Sequence, residues 1–164
     1  MKLFKIILIV IPVVIFIIIA SFFVIDFLSN DFALSNFSKQ LYSYSLPKNT
    51  KIIEKQDICG KLNGNGNGMD FLATMLIKSD LSLKELNDYY SKVNFRSAKS
   101  NNNNSSHKPE ISIVKPTSSK LESEYLSHGE IEYNNLKNVD SYSKFYIIML
   151  YDGGYSADLD IRGH

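Results

Sequence analysis

Cysteine is nearly absent from these 164 residues: there is one, Cys59. No disulfide can close within the chain, so packing alone has to hold the fold. A lone cysteine of this kind is expected to be buried in a strand as a small apolar residue, in preference to acting as a reactive thiol. Histidine is scarce as well, limited to His107, His128 and His164. They form no HxH or HExxH spacing, and His164 is the last residue, so no metal centre is expected from them. A strand–Gly-x-Ser-x-Gly–helix elbow is missing, and so is any internal repeat that would build a solenoid. An excess of basic charge is missing too. Outside the first 25 residues, which contain Lys2 and Lys5, 16 of the 18 basic side chains remain against 17 acidic ones. A net charge of −1 leaves nothing to neutralise nucleic-acid phosphates, so no nucleic-acid partner is expected.

What the sequence does have is one long apolar run. Ile6 to Ile25 contains no charged residue. At about 1.5 Å per residue, a helix over these twenty positions spans about 30 Å, the hydrocarbon thickness of a bilayer. Pro12 is compatible with that, because membrane helices tolerate proline. Lys2 and Lys5 precede the run and Asp26 follows it, so the positive-inside rule places 1–5 in the cytoplasm and 26–164 outside. A cleaved signal peptide is the competing reading. Its apolar region is shorter, about 7–15 residues, and its small-x-small cleavage site fits poorly here, since Ile18 stands two positions before Ala20. The run is read as an uncleaved signal-anchor that enters the lipid bilayer.

Beyond the anchor, the pattern predicts a small α+β domain: an antiparallel sheet with helices packed on one face. Leu34, Phe37, Leu41 and Tyr44 recur at helical spacing over 29–46, a juxtamembrane helix ended by Pro47. Strands are expected over 51–62 and 69–78. In the second, Met69, Phe71, Ala73, Met75 and Ile77 face one way, and Leu72, Thr74 and Leu76 the other, as in a central strand. Ser82 and Glu85 have the spacing of a capping box, flanked by the hydrophobic staple Leu81/Leu86. The amphipathic helix that follows carries Leu83, Leu86, Tyr90 and Val93 on one face. Residues 97–109 are polar and low in complexity, the composition of a mobile loop. A short strand at EISIV (111–114 with Glu110), a helical turn at SSKLESEYL and a strand at GEIEYNNL are read from weaker patterns. KFYIIMLY (144–151) suits a central strand. DGG (152–154) has turn chemistry, and the alternation in 155–163 predicts a final strand paired to it as a hairpin.

Three Asn-Gly pairs, Asn63-Gly64, Asn65-Gly66 and Asn67-Gly68, lie between the first two strands. A dinucleotide loop beginning at Gly64 would need glycine where Met69 stands, and a P-loop would need Lys after Gly68. One copy of a calcium nonapeptide pattern (Gly66, Gly68, Asp70, Leu72) is not a stacked array, and three neutral asparagines are weak calcium ligands. One pair would suffice for a two-residue hairpin, so the surplus predicts a bulged or longer connection, or a place where another backbone or ligand comes close. Asp158 and Asp160 would share one face of the final strand, and Glu130 and Glu132 one face of theirs. Such pairs can hold a cation or share a proton, though solvated strand faces are commoner. Tyr146, Tyr151 and Tyr155 could line a carbohydrate or peptide groove, or simply pack.

The segment GKLNGNGNGMDFLATMLIKSDLSLKEL (60–86) resembles a group of uncharacterised small membrane-anchored proteins of low-GC Gram-positive bacteria. The similarity is most specific over 47–93, with a weaker match near the C-terminus. It implies a bacterial chain with an extracytoplasmic domain, and it brings no activity, cofactor or site residue. The expected class is therefore a non-enzymatic binding or accessory module of the cell envelope, meeting another envelope protein or a cell-wall component. An envelope hydrolase or cation-binding domain that uses Asp158 and Asp160 is the alternative. A sensory ectodomain ranks third, because five cytoplasmic residues cannot house an output domain.

Overall fold

The computed structural model describes residues 2–99 and 108–164. One continuous helix, α1 (Lys2–Tyr42), replaces the two helices expected over 6–25 and 29–46. Pro12 lies inside it without ending it. Its polar residues after position 25 do not interrupt the hydrogen-bond ladder, and they fall where the helix meets the rest of the chain. Among the described residues it is the one helix long and apolar enough to cross a membrane.

Four strands follow: β1 (Thr50–Gly60), β2 (Met69–Ser79), β3 (Glu110–Val114) and β4 (Phe145–Tyr155). They form one antiparallel sheet in the order β1-β2-β4-β3, so the most apolar strands, β2 and β4, are central. The second helix, α2 (Leu83–Tyr90), starts as the sequence predicts. The Glu85 amide donates to Ser82 Oγ, and the Ser82 amide donates to the Glu85 carboxylate at 2.8 Å. That exchange satisfies two amides which a helix start otherwise leaves open.

The two faces of β2 go to two different cores. Met69, Phe71, Ala73, Met75 and Ile77 join Phe37 and Leu41 of α1 and Leu86 and Tyr90 of α2. Leu72 and Leu76 face the other way, onto Leu121, Ile131, Tyr133 and Leu136. The helices thus share one face of the sheet, and the irregular segment 115–144 covers the other. That segment holds neither the helical turn nor the strand expected of it. It contains a single bridge, Lys120 to Glu132, and a 3₁₀ turn at Asn134–Leu136. It is tied to β1 instead: Gln56 Nε2 donates to the Glu132 carbonyl, and the Asn134 and Asn135 amides donate to the Glu54 carboxylate. A few buried anchors and side-chain caps hold it there, and they leave no periodic signature.

The C-terminal hairpin is corrected. β4 continues through Asp152, Gly153 and Gly154 to Tyr155, which pairs with Met69. A bulge between Met69 and Phe71 absorbs the glycines, and the Gly154 amide donates to Asp70 Oδ1 at 3.0 Å. No strand follows. Residues 156–164 form a turn and a 3₁₀ turn (Ile161–Gly163) that fold back against α1. The alternation of Ala157, Leu159 and Ile161 is not that of one strand face, since Ala157 is buried while Leu159 and Ile161 are exposed.

Candidate functional site

Two of the features singled out in the sequence, the Asn-Gly connection and the Asp158/Asp160 pair, meet at one end of the sheet, where α1 enters the domain. Chain reversal there begins after Tyr155. Asp158 takes a left-handed backbone (φ 49°), a conformation aspartate tolerates better than most residues. Its amide donates to Ser156 Oγ, whose hydroxyl donates to the Asp158 carboxylate. The Asp160 amide then donates to the Ala157 carbonyl, and Asp160 caps the final 3₁₀ turn by accepting the Arg162 amide.

Asp160 is 1% exposed. Arg162 grips it with two donors, Nε at 3.0 Å and Nη2 at 2.7 Å, and Asn30 of α1 adds Nδ2 at 2.8 Å. Arg162 also reaches α1 directly. Nη1 donates to Asp31 at 2.6 Å, Nη2 donates to the Phe27 carbonyl, and the guanidinium lies 3.8 Å from the centre of the Phe27 ring. A planar fork that binds a carboxylate in bidentate fashion while stacking on an aromatic ring is a role lysine cannot fill. The hydrogen bonds from Arg162, joined by that from Asn30, hold the Asp160 carboxyl down at about 2, and Asp160 in turn raises Arg162. A carboxylate so fully engaged has no proton to donate at neutral pH and no free lone pair aimed at a ligand. The Asp158/Asp160 pair expected on a shared strand face is thereby corrected: Asp158 is exposed and Asp160 is a buried counter-ion. Glu130 and Glu132 are separated as well, each bound to its own lysine, Lys120 and Lys137.

The Asn-Gly connection is the turn the sequence predicts, and it is pinned to this same junction. At its start, Leu62 and Asn63 donate their amides to Asp70 Oδ2. Asn63 Oδ1 accepts from the Gly64 amide and from Ser127, and a His128 ring nitrogen bonds the Gly64 carbonyl. Asn65, Gly66 and Asn67 are exposed. At the far end, the Gly68 amide donates to the Gly163 carbonyl at 2.9 Å. Two glycines are required by close approach. Gly60 has φ +150°, and a Cβ there would lie 2.9 Å from the Arg162 carbonyl oxygen. A Cβ on Gly163 would lie 2.5 Å from Ala157 Cβ and 2.8 Å from the Gly68 carbonyl. Gly163→Ala is therefore expected to cost about 1–3 kcal/mol by overpacking. Urea unfolding in detergent measures it, and a variant as stable as the parent would show that the turn does not sit against Gly68.

Two further carboxylates are buried: Asp70, weighed above only within a calcium pattern, and Asp152, which was not singled out. Asp70 accepts three amides, those of Leu62, Asn63 and Gly154. Asp152 accepts the Ala98 amide at 2.7 Å and the Tyr155 hydroxyl. Their signal was an acidic residue inside an otherwise apolar strand, in MDFL and LYDGG. Both tether loops. Of the expected mobile loop 97–109, residues 100–107, with His107, lie outside the described residues, whereas Ala98 is tied down by Asp152. The tyrosine groove is corrected too. Tyr146 and Tyr155 lie in the helix-side core, while Tyr151 belongs to the opposite face and stacks on Tyr125 at 4.6 Å. Cys59 is buried in β1 as expected, and burial pushes its thiol up to about 11, so it is a poor nucleophile.

Among the described residues no group of three or more His, Cys, Asp or Glu could hold a metal ion. Comparison with protein-family models, with curated proteins and with solved structures finds no match for this chain.

Proposed function

We propose that this protein is a single-pass membrane protein of a bacterial cell envelope, with the domain formed by residues 26–164 outside. Its role is that of a non-enzymatic binding or accessory module for another envelope protein or a cell-wall component. One observation carries the membrane part. From Val10 to Leu28, more than a dozen large apolar side chains of α1 are exposed, whereas Phe37 and Leu41 of the same helix are 1% and 0% exposed. Leaving a dozen such side chains in water would forfeit about 1.5–3 kcal/mol each, more than the total stability of about 5–15 kcal/mol of an ordinary domain. A bilayer removes that penalty. Lys2 and Lys5 on one side of the run and Asp26 on the other support an inside N-terminus. The accessory role is supported by the use of Asp70, Asp152 and Asp160 to tie loops to the sheet and to α1.

The test uses Asn65→Cys. Asn65 is exposed, and the native Cys59 is buried and serves as a silent background. A maleimide that cannot cross membranes is expected to label Asn65→Cys on intact cells, in protein that stays with the membrane after alkaline extraction. Labelling only after the cells are permeabilised would reverse the topology. Recovery in the soluble fraction would remove the anchor.

A further inference from the structure

Outside α1, Leu159 and Ile161 are the exposed large apolar side chains among the described residues, at 42% and 74%. They flank the buried Asp160 in the C-terminal turn. Their position is specific. With Asp160 and with Phe23, Val24, Phe27 and Leu28 of α1 they line a cleft of about 210 Å³. The Leu159 amide donates to Asp26 Oδ2 at 3.2 Å. The turn is thus level with Asp26, the first charged residue after the apolar run. It reaches Phe23, three residues earlier, about 4.5 Å further along the helix axis toward that run.

An apolar pair at this level continues the exposed apolar surface of α1 sideways. Of the charges beside it, Arg162 is held by Asp160 and Asp31 and stacked on Phe27, Asp26 accepts the Leu159 amide, and Asp158 is exposed. A paired, ring-stacked guanidinium suits a headgroup boundary, where charged groups remain hydrated at the headgroup level. We propose that the Leu159–Ile161 turn is a second membrane contact, seated at the boundary between lipid headgroups and acyl chains beside Phe23 and Phe27. The inference rests on the reading of α1 as a membrane span. Its consequence is a domain held against the bilayer in one orientation instead of swinging on a stalk. The Asn-Gly connection, bonded to Gly163, then faces the lipid surface, and the opposite end of the sheet, with Thr50, Ser79 and Lys144, points away.

The chain has no tryptophan, so single tryptophans report without background. Three full-length variants, Phe16→Trp, Ile161→Trp and Asn87→Trp, are reconstituted in phosphatidylcholine–phosphatidylglycerol vesicles carrying bromines either near the headgroups or deep in the acyl chains. Ile161 and Asn87 are exposed, so both sites accommodate the ring. Ile161→Trp is expected to emit in the blue and to lose about half its fluorescence to shallow bromines, the depth of an interfacial residue. Phe16→Trp should respond most to deep bromines, and Asn87→Trp to neither. Quenching of Phe16→Trp without quenching of Ile161→Trp overturns this proposal and leaves the anchor intact. A blue but unquenched Ile161→Trp would mean that protein, such as a second copy, covers the turn, and it overturns the proposal equally. If neither Phe16→Trp nor Ile161→Trp is quenched, the anchor reading falls with it.

Discussion

Asp160→Ala is expected to destabilise the domain by about 3–5 kcal/mol, the cost of removing one partner from a buried charged pair. The substitution strands Arg162 beside Phe27 and leaves Asn30 Nδ2 without its acceptor. It also removes the cap of the last 3₁₀ turn, so the C-terminal residues should detach from α1. Arg162→Ala should cost a similar amount, because it leaves Asp160 buried and unpaired. The double variant should cost less than the sum of the two, the mark of a coupled pair in a mutant cycle.

The same pair sets a pH dependence. The Asp160 carboxyl is lowered in the folded protein from 3.8 to about 2. Its contribution, about 2 kcal/mol, is fully present above pH 4 and is lost as pH falls through the folded value near 2. Guanidinium unfolding of the detergent-solubilised protein between pH 2 and pH 6 would show this as a slope present in the parent and reduced in Asp160→Asn. Equal slopes, together with an unchanged midpoint for Asp160→Ala, would dismiss the junction as a source of stability.

Phe37→Ala is the second large effect, expected to cost about 3–5 kcal/mol, the range for a phenylalanine removed from a core. Phe37 is 1% exposed and meets Phe71 edge to face at a centroid distance of 6.5 Å. Phe16→Ala, on the same helix, should leave the unfolding midpoint of the domain nearly unchanged in detergent. The contrast separates two descriptions of α1. If the part beyond Asp26 is a stalk, both substitutions are silent. If it is a core element, only the second half of the helix is sensitive. Circular dichroism during urea unfolding distinguishes them, and a silent Phe37→Ala would remove α1 from the core.

The strongest sequence patterns became structure at the places expected, with β4 running four residues beyond its predicted end. The two-sided apolar runs became β2 and β4, and the Ser82/Glu85 spacing became a capping box. Periods of two and of three to four carried these readings, because both faces of a central strand and one face of a surface helix must be apolar. The last ten residues misled for the same reason. Ala157, Leu159 and Ile161 alternate like a strand, yet one is buried by Gly163, and the other two lie beside the apolar stretch of α1. Alternation records only that apolar residues recur. It does not say which surface each one meets.

The primary structure was enough to specify an apolar span of bilayer length, a mixed α+β domain without disulfides, and a longer turn at the Asn-Gly pairs. All of these follow from local composition and spacing, which act over a few residues. The fusion of the span with a core helix, the bulge that carries β4 through its glycines, and the joining of Asp160 to Asn30 emerged once the chain was folded. They link residues from 34 positions apart (Phe37 and Phe71) to 130 (Asn30 and Asp160). Their energies depend on distance in space and on exclusion of water, neither of which a linear pattern records.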